Sequence, residues 1–151
     1  MAVTVKVTGL RELDRALSDL KRATARNVAR KVLIEAGTPM MEAAEANAPL
    51  GPTGNLKASY GIGTKLTRRQ SKMNRKQSGV EVYVGPNDPA AVQTEFGNAH
   101  QAAEPHLRPA FDAEAMPTLE RIRDSLEGEI AKAVERASRK AARAARKAAK
   151  G

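Results

Sequence analysis

Two stretches of apolar residues at helical spacing constrain this chain more than any other feature. In the first, Leu10, Leu13, Leu17 and Leu20 lead on to Val28, Val32 and Leu33. In the second, Met116, Leu119, Ile122, Leu126, Ile130 and Val134 recur at intervals of three and four. Such a stripe turns one side of a helix to an apolar core and leaves the other in water. The spacing predicts one long helix over about 10–36 and a second near the end of the chain. Gly37 and Thr38 interrupt the first. Pro39 suits the opening position of a further helical run, "PMMEAAEANA", capped by Thr38 and reaching Asn47. The other reading is one helix bent at Pro39.

Between and before the helices the period changes. Residues 2–8, "AVTVKVT", alternate Val3, Val5 and Val7 with Thr4, Lys6 and Thr8, the period of a half-buried strand. The stretch 48–56, "APLGPTGNL", is a turn-rich joint. After it, "LKASYGIGTKL" and "GVEVYVGP" read as strands, with Val80, Val82 and Val84 on one side. "AVQTEFG" reads as a short strand or a helical turn. The basic segment 65–76 has no apolar period and is expected to be a long, mobile hairpin loop. The expected fold is α+β: a small antiparallel sheet of three to four strands packed with a long N-terminal helix and a long C-terminal helix. Residues 1–135 would form a single domain and 136–151 a basic helical extension.

Composition decides how well such a domain stands alone. Of 151 residues, 41% are hydrophobic, with two Tyr, two Phe and no Trp. The core must come from aliphatic residues and alanine. A thin core beside a sheet with open edges predicts association with further subunits. No cysteine is present, which excludes disulfides, a thiolate zinc site and a cysteine nucleophile. No stretch approaches the ~20 apolar residues of a membrane span. "MAVTVKVTGL" lacks the basic and apolar regions of a signal peptide, so a soluble chain with no membrane partner is expected.

The net charge of +9 is unevenly placed. Six cations, Lys65, Arg68, Arg69, Lys72, Arg75 and Lys76, fall in segment 65–76, which has no acid. Seven more, Arg136, Arg139, Lys140, Arg143, Arg146, Lys147 and Lys150, fall in 136–151, also without an acid. Removing those thirteen leaves thirteen basic against 17 acidic residues, a mildly acidic body. Both basic segments are candidates for contact with DNA phosphates or with an acidic protein surface. No aromatic interleaves the charges, so contact with nucleic acid would be to the backbone and without sequence preference.

Residues 95–112, "EFGNAHQAAEPHLRPAFD", hold both histidines. Glu95 or Glu104 with His100 or His106 would need oriented partners to act as acid and base, and spacing alone does not provide them. His100 and His106 are six apart, unlike the i, i+4 pair of a helical zinc motif, and two histidines do not close a tetrahedral site. "GIGTKL" has Leu66 where a dinucleotide loop needs its third glycine, and neither Thr53 nor Ser59 has a nucleophile elbow around it. No catalytic residue, metal ligand or cofactor is expected. Phe96 should anchor the core and Gly97 a tight turn behind it. Pro105 and Pro109 should hold an extended approach to a last helix that Phe111 begins. The Arg108 guanidinium should pair with Glu95 or Asp112. The cluster reads as a brace between sheet and last helix, close to a subunit contact.

The motifs in their order resemble the head–tail joining or tail-completion family of long-tailed siphovirus bacteriophages. An Ala-Pro with Thr-Gly-x-Leu is matched by Ala48, Pro49, Thr53, Gly54 and Leu56. A Val-x-Val-Gly strand end is matched by Val82, Val84 and Gly85, and Glu-Phe-Gly by Glu95, Phe96 and Gly97. Pro105, Leu107, Arg108, Pro109, Ala110 and Phe111 match a Pro-Phe-Leu-Arg-Pro-Ala-Phe run, with His106 in place of an aromatic. The resemblance spans about residues 8–130 and implies a non-enzymatic virion protein of the neck, assembled in the host bacterial cytoplasm. It implies a ring of identical subunits, hexameric or a multiple, between the DNA-filled head and the tail tube. Its neighbours would be head-completion (stopper), tail-terminator and tail-tube subunits, with packaged DNA passing through. The alternatives are a free DNA-binding protein acting through the basic tail without sequence preference, and an enzyme using His100 or His106.

Overall fold

The computed structural model describes residues 10–149. Helix α1 (Leu10–Ser18) turns at residues 19–21 into α2 (Arg22–Asn47). A short α3 (Asn55–Ala58) leads into β1 (Tyr60–Gly63), then α4 (Arg68–Met73) and β2 (Tyr83–Pro86). Helix α5 (Ala90–Phe96) and the 42-residue α6 (Leu107–Ala148) follow.

The frame is the antiparallel pair α2 and α6. At one end Val28 of α2 packs with Ile130 and Ala133 of α6, joined by Leu17, Leu20 and Leu126. At the other end Asn47 donates from Nδ2 to the His106 carbonyl at 3.4 Å. Between them the buried residues are small, among them Ala36, Ala44 and Ala110, so the core is thin, as the shortage of aromatics predicts. Close approach of two helices with small side chains at the contact replaces bulk.

The helical breaks differ from the expected ones. The chain turns at 19–21, where Leu17 and Leu20 both swing onto the Val28 cluster. It does not break at Gly37: α2 runs through Pro39, as in the second of the two readings, that of one continuous helix. Packing along α6 outweighs the one hydrogen bond a proline removes. Arg121 of α6 adds a tether there, donating from Nη1 to the Ala36 carbonyl at 3.3 Å. Gly37 serves the sheet instead. A Cβ at this position would lie 2.9 Å from Ile62 Cδ1 and 3.6 Å from Val84 Cγ2, so the glycine lets the hairpin rest on α2.

Among the described residues the sheet has two strands, not three to four. β1 and β2 pair antiparallel, Tyr60 opposite Pro86 and Gly63 opposite Tyr83. The expected strand at residues 2–8 lies outside the described residues. The other expected strands are shorter than read. Gly54, at φ 67°, starts a turn of helix through Leu56. Val80 and Val82 precede the pairing, where Glu81 draws the chain into a bend by accepting from the Gln77 and Ser78 amides at 2.5 and 2.9 Å.

The basic segment is also corrected. Its centre is the helix α4, begun by a capping box: the Thr67 hydroxyl accepts from the Gln70 amide, and Gln70 Oε1 from the Thr67 amide. Gln70 Nε2 then reaches the Pro86 carbonyl at 3.4 Å, tying α4 to the sheet.

Candidate functional site: a carboxylate brace at the start of α6

Helix α6 opens without a side-chain cap of its own, and its first amides need acceptors from elsewhere. Glu95 supplies them from α5. Its Oε2 accepts from the His106 and Leu107 amides at 2.8 and 2.9 Å, and its Oε1 from the Arg108 amide at 3.0 Å. Arg108 closes the group from the side, donating Nε to Glu95 Oε1 at 2.9 Å and Nη2 to the Glu95 carbonyl at 2.8 Å. Of the two carboxylates expected as its partner, Glu95 is the one it meets.

Glu95 is buried, at 6% exposure. Burial by itself would raise its pKa. The three amide hydrogen bonds and the Arg108 side chain act the other way and prevail, bringing it from 4.5 down to about 2. The carboxylate is therefore ionised throughout the neutral range, and its oxygens are filled with donors. Such a group holds structure together and is ill suited to take a proton from a substrate.

Behind Glu95 lies His106, at 1% exposure. The Tyr60 hydroxyl and its Nδ1 share a hydrogen bond, the two rings meet edge to face at 5.7 Å, and Nδ1 lies 3.6 Å from Glu95 Oε2. The other ring nitrogen, Nε2, is buried without a hydrogen-bond partner. Burial first, and the Glu95 charge second, push the Tyr60 phenol up to about 12. His106 thus takes a buried packing place beside the brace. Nothing in the residues around Tyr60 marked it as this partner; only the hairpin brings it 46 positions along the chain to His106.

Other expected residues are placed differently. Phe96 is 64% exposed and does not anchor the core, because α5 buries Ala91, Thr94 and Glu95 on its inner side. The Phe96 ring instead lies 4.9 Å below the Arg108 guanidinium. Phe111 is exposed and does not begin α6, which starts at Leu107; Pro109 sits in its first turn, where its missing amide costs nothing. Pro105 is exposed ahead of the helix. Gly97 does make a turn, at φ 74°, and a Cβ there would meet the Ala103 nitrogen at 2.8 Å and the Gln101 oxygen at 2.9 Å.

In the 48–56 joint, Leu56 is buried and Pro49 half-buried, and Thr53 Oγ1 accepts from the Asn55 amide at 3.4 Å. His100 and Glu104 are exposed, and no group of three or more possible metal ligands occurs among the described residues. The cations Lys65, Arg68, Arg69, Lys72, Arg75 and Lys76 are all exposed, as are Arg136, Arg139, Lys140, Arg143, Arg146 and Lys147; Lys150 lies outside the described residues. Sequence reading also passed over Glu129, a buried acid on α6 held by Lys31 at 3.0 Å and Lys132 at 3.1 Å.

Glu95, the carboxylate of the brace, lies near the end of a segment recognisable by family. A family model described as "Bacteriophage HK97-gp10, putative tail-component" matches residues 11–97, more than half of the chain. The chain belongs to this phage tail-component family. The match runs from α1 to the Glu95-Phe96-Gly97 motif, and the motif at 105–111 and the rest of α6 lie beyond it. No curated protein and no solved structure matches the chain. Membership makes the chain a phage structural component that interacts with other phage structural proteins, and virion localisation follows from it. No described helix is long and apolar enough to cross a membrane.

Proposed function

We propose that this tail component is a neck subunit, one copy of a homo-oligomeric ring that completes the tail and joins it to the DNA-filled head. Family membership supports the setting. The observation that carries the assembly is the amount of apolar surface left uncovered. Met73 is 89% exposed, Leu50 70%, Phe96 64%, Val92 63% and Phe111 56%. Met73, Val92 and Phe96 line one groove with Pro86, Pro89 and Leu107, a cavity of about 310 Å³. Soluble monomers rarely leave such residues grouped in the open.

The brace contributes rigidity. Glu95 holds the start of α6 against α5, so Phe96, Arg108 and Phe111 present a fixed surface to a neighbour. Identical subunits would meet head to tail by a contact whose rotation closes, hexameric or a multiple. Strands β1 and β2, each paired only with the other among the described residues, offer edges for a strand from the next copy. Stopper, tail-terminator and tail-tube subunits are the neighbours above and below. Light scattering of the purified protein across concentration tests the reading. The expected result is a closed oligomer reduced to monomer by Phe96→Ser with Val92→Ser. A wild-type monomer at every concentration, with heads and tails still joining in its absence, would refute it.

A further inference from the structure

Helix α6 does not stop where its partners stop. Ala133 is its last buried residue, and every described position from Val134 to Ala149 is exposed. The helix nevertheless continues unbroken to Ala148. Alanine, Arg and Lys favour that continuation, and Arg146 and Lys147 in the last turn suit the negative end of the helix dipole.

The cations on this projecting rod are not scattered. At 100° per residue, Arg136, Arg139, Lys140, Arg143, Arg146 and Lys147 fall within an arc of about 120°. Alanines 137, 141, 144, 145 and 148 occupy other sectors. Arg143 has Arg139, Lys140, Arg146 and Lys147 as neighbours at three or four positions, each a like-charge contact that weakens an isolated helix. Among the six, Arg139 has an acid partner on the helix, Glu135. An arrangement that repels itself becomes favourable against a dense row of negative charge.

We infer that this face of α6 is a binding surface for the phosphate backbone of double-stranded DNA. The spacing carries the assignment. Six charges over eleven residue steps of 1.5 Å amount to roughly one per 3 Å along the axis. A DNA strand carries one phosphate per about 3.4 Å, so the two rows match in linear density. The exposed acids on α6 itself are sparser: Asp112, Glu120, Asp124, Glu127 and Glu135 are spread over 23 residue steps, at about 7 Å per charge. The rod has no aromatic residue to stack on a base, so the contact is to duplex backbone and takes any sequence. The surface does not depend on ring closure, since each copy carries the whole face.

The test is binding of the full-length protein to a labelled 30-base-pair duplex, followed by fluorescence anisotropy across salt concentration. Neutralising six phosphates gives a log–log slope of about −5, a loss of roughly 1,000-fold between 50 and 200 mM salt. Replacing Arg139, Arg143 and Arg146 together by Ala keeps a good helix former at exposed positions and should reduce the slope to about −3. The charge-matched control Arg68→Gln, Arg69→Gln and Lys72→Gln removes three cations from α4 and should leave the slope unchanged. Two duplexes of unrelated sequence should bind equally. An unchanged slope in the α6 variant overturns the inference, as does an equal fall in the α4 variant. It is overturned too if the α6 variant loses self-association while DNA binding is unaffected, which would assign the face to the acidic surface of a second copy.

Discussion

Replacing Glu95 by Gln isolates the charge of the brace with little change of shape. The carboxylate receives three amides and the Arg108 Nε, all at 2.8 to 3.0 Å. Its pKa falls from 4.5 to about 2 on folding. Each tenfold in that ratio is about 1.4 kcal/mol, so ionised Glu95 contributes about 3 kcal/mol at most, trimmed toward about 2 by residual solvent screening. Because the folded pKa lies below the unfolded one, the contribution is complete above pH 4.5. It is lost as pH falls from there to about 2, where the unfolded chain binds the extra proton first. Glu95→Gln should therefore lower stability at pH 7 by about 2–3 kcal/mol, as measured by urea unfolding. At pH 2.5 the gap between variant and wild type should shrink to below about 1 kcal/mol. Arg108→Ala, whose side chain is 55% exposed, should cost less, about 1 kcal/mol. Equal stability of Glu95→Gln and wild type at pH 7, or a gap of the same size at both pH values, would refute the account.

Gly97→Ala should destabilise by more than about 2 kcal/mol in thermal unfolding, since φ is 74° and the new Cβ would press on backbone atoms of Gln101 and Ala103 that no rotamer change can move. Loss below about 0.5 kcal/mol would show that the turn re-forms in another shape. His106→Phe removes the unpartnered Nε2 but strands the Tyr60 hydroxyl, so adding Tyr60→Phe should restore what the single change loses. A double variant less stable than His106→Phe alone would mean that Tyr60 has another partner.

The long helices were legible because a stripe at spacings of three and four leaves a chain few other ways to bury it. Leu126, Ile130 and Val28 lie where their spacing puts them, and the shortage of aromatics foretold a core of small residues. The pairing of Arg108 with a carboxylate and the turn at Gly97 were legible for the same reason: each depends on the chemistry of one or two residues near in the chain. Sequence reading makes α4 a loop and passes over its Thr67-x-x-Gln70 box amid the surrounding charge.

What remained hidden depends on which surfaces meet. Whether Pro39 ends a helix is decided by α6 lying along α2, and whether Val80 and Val82 join a strand by a carboxylate that bends the chain before pairing starts. Phe96 looked like an anchor by residue type, yet α5 turns Glu95 inward, because the unsatisfied amides of α6 need a carboxylate more than the core needs a ring. Periodicity along a chain reports which side of each element is apolar. It holds no record of which distant donors will be left without acceptors once those elements pack, and in this protein that demand places the brace.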